Sequence, residues 1–297
     1  MRKFALGFVM ILLICCLCMG ASAQEQHGDH CVCGGAAVGV GDHTQCENVT
    51  WQPLSQALKA IGQTMEAADF GFLPSGYYYL DGDVTVTKAS AIGYKKESLA
   101  TEPDDVANLY FCLNGHSINA TTTRAFGYLN KYSSLSICDC SYENGSFKGA
   151  VNGGTSAYGS VIYTYTDSLL TIYGGNFTGK GTTNGGAVVI ANDGCGDVDA
   201  NGKYESADRY KASPSVMKVY NGHISGSNVS ATGGTIQLFH TAQLYMYGGT
   251  IVGGTAKTSG GTIAVGSTCK AYIYGGTVIG GVSAGKQDLV QVIKNDG

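Results

Sequence analysis

Leu244-Tyr-Met-Tyr-Gly-Gly-Thr-Ile251 is the stretch that decides the fold, because three other segments align with it without gaps. These segments are Leu170–Phe177 (LTIYGGNF), Met217–Ile224 (MKVYNGHI) and Ala271–Val278 (AYIYGGTV). The last three of the four begin 27 residues apart, at positions 217, 244 and 271. A constant period of this length is typical of a chain built from stacked structural repeats.

A second short strand follows a glycine in each period. Its copies are Gly186–Ile190 (GAVVI), Gly234–Leu238 (GTIQL) and Gly261–Val265 (GTIAV). Short strands rich in Val, Ile, Thr and Tyr, with one turn of backbone per repeat, predict an all-β, right-handed parallel β-helix in which each coil pairs with its neighbours. A β-sandwich is the competing all-β fold, but it does not require the same residue types to recur in every period.

The pattern divides the chain into four parts. Residues 1–23 combine Arg2 and Lys3, an apolar run and an Ala-Ser-Ala site, which predicts a secretory signal peptide cleaved after Ala23 rather than a membrane anchor. A Cys/His-rich segment follows at 24–52. Helical spacing of apolar residues after Pro53 predicts a capping helix and linker at 53–75. The β-helix then spans 76–297, with a polar insertion at about 192–215.

Composition restricts the function classes. Cleavage removes two of the 18 basic residues and none of the 22 acidic ones, so the formal net charge falls from −4 to −6. A nucleic-acid partner is therefore not expected. Eight of the 11 cysteines remain after cleavage, and export places them where disulfides persist. We expect a secreted or extracellular protein with no membrane span after cleavage.

Several motifs resemble the secreted β-helix repeat proteins of bacterial surfaces. They are Tyr78–Val86 (YYLDGDVTV), Cys112–Ile118 (CLNGHSI), Ile137–Ser141 (ICDCS) and Tyr247–Ala256 (YGGTIVGGTA). The resemblance covers roughly residues 27–283 and implies a pectate-lyase-like fold with an adhesin-like role, in which the partner is a glycan or a host or cell-surface protein. It implies no reaction, because the same fold carries enzymes, adhesins and fibres.

The coils lack the residues that an enzyme of this fold needs. Polysaccharide lyases and glycoside hydrolases use clustered carboxylates, but residues 217–226, 244–255 and 271–282 contain no Asp or Glu. No catalytic residue is predicted. An enzyme whose acids come from loops and a purely structural spacer stay as alternatives. The Asp-rich stretch 193–208 is a candidate for Ca²⁺, but its spacing matches no compact calcium loop, so an exposed loop is the favoured interpretation.

Alternation along the aligned strands predicts an outward column of tyrosines. Leu170 and Ile172, with their equivalents in the other segments, then face the core. The outward residues are Tyr173, Tyr220, Tyr247 and Tyr274, with Tyr245 and Tyr272 two positions earlier in their strands. Parallel strands lie about 4.8 Å apart, so these rings form a ladder. The ladder is a candidate glycan-binding surface, and ring-ring stabilisation of the stack is the alternative.

The same register places two cysteines in that column, one coil apart. Cα atoms at the strand spacing are within disulfide range. The sequence therefore predicts a Cys112–Cys138 disulfide, with Cys140 as the alternative partner.

The N-terminal segment is dense in residue types that bind zinc: His27, His30, Cys31, Cys33, His43 and Cys46. Imidazole and thiolate are the preferred ligands of Zn²⁺, so the segment is a candidate zinc site. Its spacing matches no standard zinc finger, and a disulfide-stapled leader or a flexible segment would explain the same residues.

Overall fold

The fold is an all-β parallel β-helix, as the repeat predicts. The computed structural model describes residues 27–35, 41, 46–93, 106–121, 123–165, 167–191, 214–284, 286–288 and 290–292. The predicted signal peptide, His43 and the insertion up to residue 213 lie outside them. Three long parallel sheets run along the stack, and each coil from Gly76 onward contributes one strand to each sheet.

The strands are as follows, in order along the stack. The first sheet contains Gln52–Pro53, Gly76–Tyr79, Asn108–Cys112, Ser134–Cys138, Leu169–Ile172, Val216–Val219, Gln243–Met246 and Lys270–Ile273. The second contains Val84–Val86, Ser117–Ala120, Ala150–Asn152, Asn176–Thr178, His223–Ser225, Thr250–Val252 and Thr277–Ile279. The third contains Ala91–Ile92, Tyr128–Leu129, Ile162–Thr164, Val188–Ala191, Ile236–Phe239, Ile263–Val265 and Val290–Val292.

Smaller elements complete the described structure. Ser156–Tyr158 pairs with Gly181–Asn184, and a four-stranded sheet contains Asn228–Val229, Thr255–Ala256, Gly281–Ser283 and Lys286–Asp288. Near the N-terminus, His30–Cys31 pairs antiparallel with Asn48–Val49. We call residues 27–35 together with 46–51 the N-terminal hairpin. The helix α1 spans Leu54–Ala60, and a 3-10 turn spans Phe70–Phe72.

Side chains of one type stack inside the coils because the strands pair in register. In the first sheet, Leu135 lies opposite Leu109 on one side and Leu170 on the other, and all three are buried. Inner residues of the three sheets form one continuous core. In the last coil described, however, Ile273 is 46% exposed. The core is therefore open at that end of the described stack.

The helix α1 covers the other end of the core. It begins after Pro53, whose fixed φ suits the position just before a helix. The Asp81 carboxylate accepts hydrogen bonds from the Ser55 amide and hydroxyl, which satisfies part of the first turn. Leu54 and Leu58, four residues apart and therefore on one face, are fully buried in the main core. Because the Gln52–Pro53 strand pairs with Tyr78 and Tyr79, the first sheet begins before residue 76.

Each repeat turns a corner within the quoted segment. Gly249, at φ 81°, lies between the Gln243–Met246 strand of the first sheet and the Thr250–Val252 strand of the second. A positive φ is readily adopted only by glycine, so the Gly-Gly pair ends one strand and starts the next. The eight residues that align as one segment therefore contribute to two sheets, and a coil has three principal strands.

Replacing Gly234 by alanine tests how tightly the coils pack. A Cβ there would lie 2.2 Å from the Gly261 carbonyl oxygen of the next coil. Because backbone must move to relieve this overlap, we expect a loss of about 1–3 kcal/mol in the free energy of unfolding, measured by urea denaturation. Gly82→Ala is the control, since its Cβ would meet only the Met65 methyl at 4.0 Å. Equal stability of the two variants would show that the coils are not in close contact at Gly234.

Candidate metal site and aromatic surface

One outward column runs along the first sheet. Tyr79, Cys112 and Cys138 lie opposite one another in successive strands. Tyrosine rings continue the column in the following coils, with centroids 5.1 Å apart for Tyr173 and Tyr220, 4.9 Å for Tyr220 and Tyr247, and 5.3 Å for Tyr247 and Tyr274. Their planes differ by 11–16°. The rings therefore stack face to face along the helix axis.

Stacking hides the flat faces of the inner rings. Tyr220 lies between Tyr173 and Tyr247, and Tyr247 lies between Tyr220 and Tyr274. The column thus presents ring edges and hydroxyls to the side of the stack. Only a ring at the end of the column has a face that no neighbouring tyrosine covers.

The N-terminal hairpin covers part of this column. Cys31 and Cys33 pack against Tyr220, which is only 4% exposed, and Tyr173 and Tyr247 are partly buried in the same cluster. The prediction of an exposed tyrosine ladder is therefore wrong for Tyr220. The physical reason is that the Cys/His-rich segment folds back onto the outer face of the first sheet.

The exposed tyrosines of the predicted ladder lie in the last coil described. Tyr272 is 36% exposed and Tyr274 is 66% exposed. Each has one face on a ring of the preceding coil: Tyr245 lies 4.9 Å from Tyr272, and Tyr247 lies 5.3 Å from Tyr274. The planes of Tyr272 and Tyr274 differ by 6°, with centroids 6.3 Å apart. These two rings form a small aromatic platform, which we call the Tyr272/Tyr274 platform.

Four potential metal ligands converge where the hairpin meets the coils. They are His27, His30, Cys112 and Cys140, and their ligand atoms all lie within 4.8 Å of one another. His27 Nε2 lies 3.1 Å from His30 Nε2, 3.4 Å from Cys112 Sγ and 3.7 Å from Cys140 Sγ. Two imidazoles and two thiols in this arrangement could hold a metal ion.

Neighbouring groups orient the two histidines. His30 Nδ1 lies 2.6 Å from the Cys31 carbonyl oxygen, so this nitrogen donates its proton there and Nε2 faces the cluster as an acceptor. Trp51 Nε1 donates to the His30 carbonyl at 2.9 Å. The His27 ring stacks on Tyr79, with centroids 4.2 Å apart and planes differing by 3°. These contacts orient both rings so that their Nε2 atoms lie 3.1 Å apart within the cluster.

The surroundings of the two thiols favour their neutral form. Burial raises the pKa of Cys112 well above its usual value. A hydrogen bond with Cys112, together with burial, raises the pKa of Cys140 to about 12. Burial lowers the pKa of His30, but hydrogen bonds to Cys140 and to the Cys31 carbonyl outweigh it, so the pKa is raised overall. A bound cation would reverse the balance for the thiols, because metals bind thiolate.

The remaining N-terminal cysteines form a separate group. Cys31 and Cys46 are joined by a disulfide with Cα atoms 5.5 Å apart, and Cys33 Sγ lies 3.0 Å from Cys31 Sγ. The predicted zinc set is therefore corrected. Of its six members, His27 and His30 enter the four-residue group, whereas Cys31 and Cys46 are occupied by their disulfide.

The predicted Cys112–Cys138 disulfide is not formed in the structure. The two residues are register partners, as the sequence indicates, but both are free thiols. Cys112 Sγ lies against His27 and interacts with the thiols of both Cys138 and Cys140. Sequence reasoning did not identify Cys112 and Cys140 as ligands. A signal in the sequence is that cysteine stands where the outward column elsewhere has tyrosine.

Carboxylates contribute to neither group of converging metal-ligand side chains in the described part of the chain. The Asp-rich stretch 193–208 lies outside that part, so calcium binding there stays a prediction.

Arg124 is buried; its Nε donates to the Tyr158 carbonyl at 2.9 Å, and its guanidinium lies 4.3 Å from the Tyr128 ring centroid.

Comparison of the chain with protein-family models, with curated proteins and with solved structures finds no match. The described residues include no helix that is both long and apolar enough to cross a membrane. Function therefore has to be argued from the geometry of the two sites.

Proposed function

We propose that this protein is a secreted contact module, adhesin-like as its motifs imply, that binds glycans through the Tyr272/Tyr274 platform. The observation that carries the proposal is the exposure of these two nearly parallel rings in the last coil described. The signal-peptide pattern of residues 1–23 and the Cys31–Cys46 disulfide support an extracellular location.

Tyrosine suits such a contact for physical reasons. Its ring offers flat apolar area to the carbon face of a sugar, and its hydroxyl exchanges hydrogen bonds with sugar hydroxyls. It has few rotatable bonds, so little conformational entropy is lost on binding. Here Tyr245 and Tyr247 also support the platform from behind, because each stacks on one of its rings.

A glycan array tests the proposal. Each ring contact is worth about 0.5–1.5 kcal/mol, so the Tyr272→Ser/Tyr274→Ser double variant is expected to bind about 5- to 150-fold more weakly. Tyr132→Ser is the control, because Tyr132 is 56% exposed but belongs neither to the outward column nor to the Tyr272/Tyr274 platform. If the double variant retains glycans as strongly as the parent chain does, the platform is not the binding surface.

The same samples test the alternatives. Incubation with polysaccharides, with and without Ca²⁺, is read for new reducing or unsaturated ends. Retention without cleavage supports a contact module. Cleavage would instead show a lyase or hydrolase, and absence of both would leave a structural spacer.

We also propose that the group of His27, His30, Cys112 and Cys140 binds zinc. Two thiolates and two imidazoles are a closed structural ligand set for Zn²⁺, whereas Ca²⁺ takes oxygen ligands. Tetrahedral zinc bonds of about 2.0–2.3 Å place nitrogen atoms about 3.3 Å apart and nitrogen about 3.5 Å from sulfur. The distances of 3.1, 3.4 and 3.7 Å in the structure fit these values.

A further inference from the structure

We infer that the proposed zinc site is a clamp that holds the N-terminal hairpin over the tyrosine column, so that removing the metal uncovers Tyr220. The inference rests on the zinc proposal. It goes beyond the ligand set, because it links metal binding at one end of the hairpin to the exposure of an aromatic surface.

The four ligands come from two different parts of the fold. His27 and His30 belong to the hairpin, whereas Cys112 ends one strand of the first sheet and Cys140 follows the next. His27 is 85 residues from Cys112 and 113 residues from Cys140 in sequence. An ion bound by all four would therefore join the hairpin to two successive coils. The Cys31–Cys46 disulfide cannot do this, since both of its cysteines lie within the hairpin itself.

The hairpin depends on such an attachment. Its two strands, His30–Cys31 and Asn48–Val49, are only two residues long, and isolated two-stranded hairpins are at most marginally stable in water. Its contacts with the coils include the His27 ring on Tyr79 and the backbone of Gly34 beside Asp139 and Cys140. The first contact lies in the coil that precedes the Cys112 coil, and the second lies in the coil that supplies Cys140.

The attachment point controls the cover over the tyrosines. Cys31 directly follows the ligand His30, and Cys31 and Cys33 pack against Tyr220 in one buried cluster. Fixing His30 on Cys112 and Cys140 therefore fixes the segment that lies on the column. If His30 is released, the side of Tyr220 that faces the hairpin becomes open to solvent, and Tyr173 and Tyr247 lose part of their cover.

Tyrosine nitration of the zinc-loaded chain, mapped by peptide mass spectrometry, measures this cover directly. We expect Tyr220 to be protected and Tyr274 to react. After removal of zinc with a chelator, the Tyr220 rate should rise about tenfold or more, since reaction of a covered group follows local opening. The rate at Tyr274 should stay unchanged, and adding zinc back should restore protection.

Two variants and a metal assay separate the possible failures. Cys140→Ser should behave as the chelated protein does, and Cys269→Ser, a free cysteine outside the group, should behave as the parent chain. If each chain binds one zinc ion but Tyr220 stays protected after the zinc is removed, the clamp is refuted and the zinc site is not. Absence of bound zinc, or a Cys112–Cys140 disulfide in its place, would refute both.

Discussion

Replacing Phe111 by alanine is expected to lower the free energy of unfolding by about 3–5 kcal/mol, the range for removing a large buried aromatic side chain. Phe111 is fully buried in the first sheet. Its ring centroid lies 5.0 Å from that of Phe70, 5.4 Å from Phe126 and 5.8 Å from Tyr78. The cavity would lie where several coils and the 3-10 turn meet, so neighbouring groups have little freedom to fill it.

Urea denaturation of the variant beside Phe72→Ala checks this expectation. Phe72 belongs to the same 3-10 turn as Phe70 but is 63% exposed, so its loss should change stability by no more than about 0.5 kcal/mol. Similar losses in the two variants would mean that Phe111 is not in the core.

Replacing Cys112 by serine is expected to weaken zinc binding more than 100-fold. Losing a group that merely orients a ligand typically costs about 10–100-fold in affinity, and Cys112 supplies a ligand atom itself. Its sulfur lies 3.4 Å from His27 Nε2, inside the group. Competition with a chelator of known zinc affinity gives the change.

Cys138→Ser is a closely matched control. Cys138 is the register partner of Cys112 in the next strand, is equally buried and is also a free thiol, but it does not belong to the four-residue group. We expect its zinc affinity to fall far less than that of Cys112→Ser, because serine can keep the hydrogen bond that the Cys138 thiol makes with Cys112. A loss in Cys138→Ser comparable to that in Cys112→Ser would assign the metal to a different set of sulfurs.

The architecture of the coils follows from local patterns in the sequence. The 27-residue period and the alternation of residues such as Leu244, Tyr245 and Met246 identify a strand, its inner face and its partners, since parallel coils stack equivalent residues. The repeat pattern does not separate the first-sheet strand from the second-sheet strand, because Gly249 turns the chain within an apparently continuous motif.

The candidate site depends on contacts that no local pattern encodes. His27 and His30 are recognisable as potential ligands from their chemistry. Their partners Cys112 and Cys140, however, are brought to them only when the hairpin folds back across the first sheet. The same folding buries Tyr220. A repeat shows which residues point outward, but it does not show what a non-repeating segment covers.

The zinc K-edge X-ray absorption spectrum of the zinc-loaded chain tests the four-residue site most directly. The structure predicts two sulfur neighbours at about 2.3 Å and two nitrogen neighbours at about 2.0–2.1 Å, from Cys112, Cys140, His27 and His30. A shell with three or four sulfur atoms, or one with only nitrogen and oxygen, would contradict the proposed ligands and the clamp built on them.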